Sequence, residues 1–139
     1  MARKTQQTTW KNRNILIDGA HNPAAAIALR EYVDRLNDRP SPINWVIGIL
    51  ATKDCDDILK ALLKKGDRLY LVPVPDPNSS SPAELATLAQ SICPELTLCQ
   101  AFPDLTTALD AAVTGDNLTI LCGSLYLVGY FLQQQQSQA

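Results

Sequence analysis

Residues 14–26 read NILIDGAHNPAAA, and the rest of the chain is organised around this stretch. Its branched apolar run, Ile-Leu-Ile, is typical of a buried strand. Asn22 followed by Pro23 predicts a helix start, because asparagine caps free backbone N–H groups and proline is tolerated at the first helical position. Asp18 and His21 are therefore predicted to lie on a turn between the carboxyl end of a strand and the amino end of a helix.

This turn is a candidate ligand site. In open α/β sheets, ligands bind where the crevice beyond the strand ends meets the N–H groups of a helix start. His21 is the only histidine of the 139 residues. Each side chain also has a structural interpretation, since Asp18 could accept N–H groups of its own turn and His21 could cap or pack. The stretch alone does not decide between these roles.

Length and composition are those of one ordinary globular domain. The chain has 139 residues, of which 46% are hydrophobic and 19% charged, enough to build a core without disulfides or metals. No apolar run approaches the roughly 20 residues of a membrane helix, and the N-terminus lacks the apolar core of a signal peptide. We therefore expect a soluble cytoplasmic protein without a membrane partner.

Two further classes of protein are disfavoured. The net charge of −2 gives no electrostatic footprint for nucleic acid. The four cysteines show no C-x-x-C pair and stand beside apolar residues, which suits reduced, buried thiols better than zinc ligands or disulfides. These are Cys55, Cys93, Cys99 and Cys122.

Apolar patterns along the chain predict strands and helices in alternation. The predicted strands are 15–17, 43–50, 68–74, 95–99 and 118–121, and the predicted helices begin at Pro23, Asp54, Pro82, Pro103 and Leu125. Alternation of this kind indicates an α/β fold, with a mostly parallel sheet of five or six strands and helices on both faces. The domain is predicted to span 10–133, between a flexible N-terminal segment or linker at 1–9 and a Gln-rich tail at 134–139.

In such a sheet the turns that follow the strands all open on one edge. The polar and glycine residues that could share this edge are Asp18, His21, Thr52, Lys53, Asp54, Gly123 and Ser124. Ser124 is also predicted to cap the last helix. Tyr126, one turn further on, would more often belong to a core.

The motifs at this edge limit its chemistry. Neither a G-x-G-x-x-G nor a G-x-x-x-x-G-K-[ST] loop is present, so the chain is not predicted to activate a nucleotide by itself. Asp18, His21 and Ser124 are the residue types of a nucleophilic triad, which keeps a hydrolase as an alternative. Against it, residues 122–126 read CGSLY and lack the second glycine of the G-x-S-x-G elbow.

Three segments resemble a known family in their order along the chain. Residues 17–23, IDGAHNP, resemble the D-G-A-H-N-P signature of folylpolyglutamate and dihydrofolate synthases, members of the Mur ligase superfamily. Residues 46–54, VIGILATKD, are similar to the family pattern G-x-x-x-D-K-D, with Thr52 in place of its first Asp. Residues 122–129, CGSLYLVG, are similar to the closing G-S-x-x-x-V-G. The resemblance extends from about Trp10 to Leu132.

The resemblance implies a Rossmann-like carboxy-terminal domain of an ATP-dependent ligase that adds glutamate to folates, with dihydrofolate synthase activity left open. It implies that Asp18 binds ATP and that His21, Ser124 and Tyr126 bind glutamate, with no catalytic residue and no metal ligand in this domain. ATP and Mg²⁺ would be held mainly by an amino-terminal P-loop ATPase domain, the expected partner, in a monomeric enzyme. This domain alone would be inactive.

The alternative to this interpretation is a freestanding α/β binding or regulatory module without catalysis. One departure from the family concerns an upstream arginine that contacts ATP. Neither Arg3 nor Lys4 stands clearly at its distance from the D-G-A-H-N-P stretch.

Overall fold

The computed structural model describes residues 5–36, 42–51 and 53–137. Its strands are β1 (Gln6–Trp10), β2 (Arg13–Ile17), β3 (Asn44–Ile47), β4 (Arg68–Leu71), β5 (Leu98–Ala101) and β6 (Thr119–Cys122). Its helices are α1 (Pro23–Leu36), α2 (Cys55–Leu62), α3 (Pro82–Ile92), α4 (Leu105–Ala112) and α5 (Leu125–Ser137). None of the described helices is long and apolar enough to cross a membrane.

The six strands form one sheet in the order β1-β2-β6-β3-β4-β5. All neighbouring strands pair in parallel except β1, which runs antiparallel to β2. The predicted α/β class, with a mostly parallel sheet, is confirmed. The position of β6 between β2 and β3 places the first and last strands of the parallel set side by side.

Helices cover both faces of the sheet. On one face α1, α2 and α3 enclose a core that includes Leu29, Trp45 and Leu59. On the other face α4 and α5 enclose a second core around Trp10 and Phe131, whose ring centroids lie 5.8 Å apart. Adjacent strand residues alternate between the two cores, as the pleat of a buried strand requires.

Two helix starts follow directly from their capping residues. The Ser81 hydroxyl accepts the N–H of Glu84, so α3 begins at Pro82, as predicted. Asp104 accepts the N–H of Thr107 at 2.7 Å, so α4 begins at Leu105 and not at Pro103. In each case a short polar side chain satisfies one of the free N–H groups of the first turn.

The predicted N-terminal linker is wrong for residues 6–9, which belong to β1. This strand carries glutamine and threonine along the sheet edge and buries only Trp10, so it shows no apolar periodicity. A tight turn at Lys11 and Asn12, with φ of 48° and 68°, joins it to β2. Positive φ at both central residues is the geometry that favours two-residue hairpins.

The predicted Gln-rich tail at 134–139 is wrong for residues 134–137, because α5 continues to Ser137. Glutamine has a good helix propensity. In addition, the Gln135 side-chain amide donates to the Thr8 hydroxyl at 2.6 Å and to the Thr9 carbonyl at 2.7 Å. The last turns of α5 are thus tied to β1, whereas residues 138–139 lie outside the described part.

Candidate ligand site at the carboxyl edge of the sheet

The turn after β2 lies beside the turn after β6. Ile17 pairs with Leu121, and the Asp18 N–H donates to the Leu121 carbonyl at 3.0 Å. The expectation that Asp18 shares an edge with Ser124 is therefore confirmed by the strand order.

At this edge the chain-order progression of the strands reverses, which makes it the topological switch point of the sheet. Strand β6 has β2 on one side and β3 on the other, and α1 and α2, which follow those two strands, pack on one face. Helix α5, which follows β6, packs on the opposite face. Loops that leave toward opposite faces open a crevice between them, and α/β proteins bind ligands in such crevices.

Asp18 is only 4% exposed, and both carboxylate oxygens are used within the domain. Oδ1 accepts the N–H of Ala20 at 2.8 Å, and Oδ2 accepts the hydroxyl of Thr5. Asp18 thus accepts an N–H group of its own turn, which is its predicted structural role.

His21 is half-buried, and its Nδ1 lies 2.8 Å from the carbonyl oxygen of Gly19. A carbonyl oxygen can only accept, so Nδ1 carries the hydrogen in this bond. Nε2 makes no hydrogen bond to any residue of the described part. The turn therefore fixes which ring nitrogen is available to a ligand.

Two helices begin at this edge, each with its predicted cap. The Asn22 side chain accepts the N–H of Ala25 at 2.8 Å and caps α1. The Ser124 hydroxyl, in a residue 2% exposed, accepts the N–H of Tyr126 at 3.1 Å and caps α5. The free N–H groups and partial positive charge of both helix starts therefore lie at this edge.

Glycines allow the turns to pack closely. Gly123 has φ +111°, and a Cβ built on it would lie 2.4 Å from the backbone oxygen of Gly48. A Cβ on Gly19 would lie 2.4 Å from Cδ2 of Leu125, so the residue that begins α5 lies over the turn after β2.

The remaining candidates lie on the outside of this edge. Tyr126 is 59% exposed and Leu125 60%, so Tyr126 is not a core residue. Lys53 and Asp54 are exposed at the start of α2, and the Asp54 side chain makes no cap bond there. Thr52, like Arg3 and Lys4, lies outside the described residues.

Metal binding and nucleophilic catalysis find little support here. In the described part of the chain, no group of three His, Cys, Asp or Glu side chains could hold a metal ion. No hydrogen bond joins Ser124 to His21, so the bond that would activate a hydrolase nucleophile is missing. Cys55, Cys93 and Cys99 are free thiols, and burial raises the pKa of the Cys93 and Cys99 thiols.

A polar cavity of about 280 Å³ lies elsewhere, among residues that precede or begin β2 and β6. Arg13, Asp116 and Thr119 are among its lining residues. Those residues stand at the amino ends of their strands, whereas the turns described above follow the carboxyl ends. The cavity is therefore separate from the candidate site.

Sequence reasoning missed two contributors to the site. Thr5 lies 13 residues before Asp18, and nothing in its surroundings marks it as a partner of that carboxylate. Leu125 begins α5, and its side chain lies over Gly19 and is largely exposed. Only the strand order brings these residues to the turn after β2.

Comparison with known families identifies the domain. The family model described as dihydrofolate synthetase, C-terminal domain, matches residues 2–134. This chain belongs to that family.

Relatives of the dihydrofolate synthetase C-terminal domain are about three times as long as this chain. A Schizosaccharomyces pombe protein named "Probable dihydrofolate synthetase" is 32% identical over 146 residues, covering 89% of this chain and 34% of the relative. The crystal structure of Thermotoga maritima folylpolyglutamate synthase is 27% identical, with a TM-score of 0.76 over 98% of this chain and 31% of that one.

A third comparison is a crystal structure with ligands. It is a bifunctional folylpolyglutamate synthase/dihydrofolate synthase with Mn, AMPPNP and L-glutamate bound. It is 26% identical and has a TM-score of 0.74, over 94% of this chain and 30% of that one. The present chain thus spans about a third of each of these proteins.

Proposed function

We propose that this domain is the carboxy-terminal part of an ATP-dependent ligase that joins glutamate to folates. The observation that carries the proposal is that Asp18, His21 and Ser124 lie in the turns after two neighbouring strands, at one edge of the sheet, in a dihydrofolate synthetase C-terminal domain. A related enzyme has been crystallised with a nucleotide analogue and L-glutamate, the ligand classes that this site is proposed to receive.

Asp18 is the proposed nucleotide contact. A carboxylate accepts hydrogen bonds from the two hydroxyls of a ribose, and charge makes such bonds stronger. Thr5 already donates a hydroxyl to Oδ2, in the way that a ribose hydroxyl would. A ribose hydroxyl of the nucleotide would therefore share Oδ2 with the Thr5 hydroxyl or take the place of the Thr5 hydroxyl.

His21, Ser124 and Tyr126 are the proposed glutamate contacts. The starts of α1 and α5 favour an anionic amino acid, because free N–H groups and the helix dipole attract carboxylates. Ser124 is buried and caps α5, so its contribution is to hold those N–H groups in place. Tyr126 is exposed and can reach a ligand with its hydroxyl.

The reaction needs parts that this chain does not carry. A folate carboxylate becomes an acyl phosphate at the expense of ATP, and the amino group of glutamate displaces the phosphate. The described residues do not fit a Mg²⁺ site, and the sequence has no P-loop, so both are assigned to an amino-terminal ATPase domain. We propose a monomeric, cytoplasmic enzyme in which the two domains close over the substrates and exclude water.

The test uses the enzyme that contains both domains, with Asp18→Asn and Asp18→Ala. Asparagine keeps the acceptor for the Ala20 N–H but removes the charge, whereas alanine removes both. We expect both variants to raise the KM for ATP by about 10-fold or more, the loss of one charge-assisted hydrogen bond, with the KM for glutamate little changed. An unchanged KM for ATP in both variants would refute the role of Asp18.

The alternative, a freestanding binding or regulatory module, makes a different genomic prediction. A ligase domain requires an uninterrupted upstream reading frame that includes a G-K-[ST] loop. A start codon at Met1 with no such frame, together with absence of folate-dependent ATP turnover, would favour the module.

A further inference from the structure

The imidazole of His21 is held by one nitrogen only. Nδ1 donates to the Gly19 carbonyl at 2.8 Å, within the same turn. This bond assigns the hydrogen to Nδ1, so in the neutral ring Nε2 carries a free lone pair. The ring is half-buried, and no described residue hydrogen-bonds to Nε2.

We infer that Nε2 of His21 is the base that takes a proton from the amino group of the incoming glutamate; this inference rests on the proposed function. Amino acids arrive as ammonium ions, which have no lone pair for attack on an acyl phosphate. A positioned base is therefore needed at the glutamate side of the site.

The other polar groups at this edge suit the task less well. Asp18 already accepts two hydrogen bonds, and a carboxylate is a weaker base than an imidazole. The Ser124 hydroxyl is buried as a helix cap. Lys53 has a side chain with donors only. Of the described residues at this edge, only His21 offers a basic nitrogen lone pair that makes no hydrogen bond to another described residue.

The step balances as follows. Nε2 takes one proton from the ammonium group, and the freed nitrogen lone pair forms the C–N bond at the acyl carbon. The C–O bond to phosphate then breaks, and phosphate leaves with the electron pair. The nitrogen loses its second proton to the departing phosphate, and the imidazolium returns its proton to solvent. The amide product keeps one hydrogen.

Two variants of the enzyme with both domains separate this role from a structural one. In His21→Asn the side-chain amide can take the place of Nδ1–H and keep the bond to Gly19, but it is not a base. In His21→Gln the amide reaches toward the position of Nε2 and can still contact glutamate. Ser91→Ala, on the exposed face of α3, is the control and should behave like the unsubstituted enzyme.

Each enzyme is assayed with glutamate and, separately, with hydroxylamine, which is uncharged at neutral pH and needs no base. We expect both His21 variants to lose about 100-fold or more of kcat at saturating glutamate, the usual size of general-base catalysis. Hydroxamate formation from the acyl phosphate should remain close to that of the unsubstituted enzyme.

Two results would overturn the inference while leaving the proposed function intact. Recovery of kcat at high glutamate would show that His21 only binds, and a parallel loss of hydroxamate would show that it only maintains the site. If the unsubstituted enzyme forms no ATP- and folate-dependent hydroxamate, the proposed function fails and the inference fails with it.

Discussion

Gly123 is the residue on which the geometry of the site depends most directly. Its φ of +111° strains any residue with a side chain, and a Cβ would meet the Gly48 oxygen at 2.4 Å, where only backbone could give way. We expect Gly123→Ala to lower the free energy of unfolding by about 3 kcal/mol, from backbone strain and steric overlap together. Urea unfolding followed by circular dichroism measures this.

Gly129 provides the matched control. It lies in the exposed interior of α5, where an added Cβ would meet nothing within 4 Å. Gly129→Ala should therefore raise the free energy of unfolding by about 0.5–1 kcal/mol, because alanine restricts the unfolded chain and favours helix. Equal effects of the two substitutions would show that the Gly123 contact is relaxed in solution.

For single residues, the sequence predicts helix caps better than it predicts which distant residues touch. Asn22 and Ser124 were predicted as caps from residue type and position alone, and both caps are present. Gly48 and Gly123 lie 75 positions apart in the sequence, and their close approach is found only once β3 and β6 are known to be neighbours. A helix cap depends on residues that are neighbours in the sequence, whereas a contact between distant residues depends on the strand order.

Among the elements, α1, β3 and the loop before β4 are joined by one buried carboxylate. Asp67 is 1% exposed and accepts four donors: Ile43 N–H at 3.0 Å, Trp45 Nε1 at 3.0 Å, Arg30 at 2.9 Å and Lys64 N–H at 3.1 Å. The guanidinium of Arg30 also lies 5.9 Å from the Trp45 ring centroid.

Removing the Asp67 carboxylate should weaken the packing of α1, β3 and the loop before β4 against one another. Asp67→Ala leaves Arg30 buried without its main counter-charge, and we expect a loss of about 3–5 kcal/mol in the free energy of unfolding. Glu95→Ala is the control, because its pair with Lys65 at 3.4 Å is exposed and worth about 0–1 kcal/mol. Similar losses in chemical denaturation would contradict the structural role of Asp67.

The hairpin of β1 and β2 is held to α4 by Asp110. This carboxylate accepts the Trp10 indole N–H at 2.9 Å and the Lys11 ammonium at 3.0 Å. Burial alone would raise the pKa of Asp110, but these two bonds and the Lys11 charge outweigh it and lower the pKa below 3.8.

A pH dependence follows from that direction. Because the folded-state pKa lies below the unfolded value of 3.8, the contribution of Asp110 is complete above about pH 4–5. It is lost as the pH falls through the lowered folded pKa. We expect Asp110→Asn to unfold at lower urea than the unsubstituted protein at pH 7, with a small difference because Asp110 is 43% exposed. The difference should shrink at pH 3; a difference that grew in acid would contradict the assigned sign.

The same hairpin shows where sequence patterns fail for elements. Strand β1 is a polar edge strand, and the hydrophobic signal that predicts strands comes from burial on a face. Only Trp10 of β1 is buried, so the sequence of β1 carries no hydrophobic pattern that would predict its pairing with β2.

The strand predicted at 95–99 lies instead at Leu98–Ala101. Thr97 still belongs to the connection that precedes this strand, and its N–H donates to the Asp67 carbonyl.

For the whole molecule, the alternation of elements was enough to predict an α/β fold with helices on both faces, because each buried element must find an apolar partner. The strand order was not predictable, since inserting β6 between β2 and β3 depends on which helix covers which face. That insertion creates the candidate site. A fold class can thus be predicted while the crevice that it produces cannot.

The two cores are filled by residues of this chain, so we expect the isolated domain to fold and yet to have no ligase activity. The aligned regions cover about a third of each relative's length, and formation of the acyl phosphate is assigned to the remaining two thirds.

Mixing this chain with a separately produced ATPase domain should restore glutamate addition weakly, at a rate that rises in proportion to the concentration of this chain. In the fused enzyme the linker supplies an effective concentration of roughly millimolar, so turnover there should not depend on dilution. The Asp18→Asn chain, added in place of the unsubstituted one, should restore less at subsaturating ATP. Ligation by this chain alone would refute the division of labour, because it would require ATP activation by residues that the sequence does not supply.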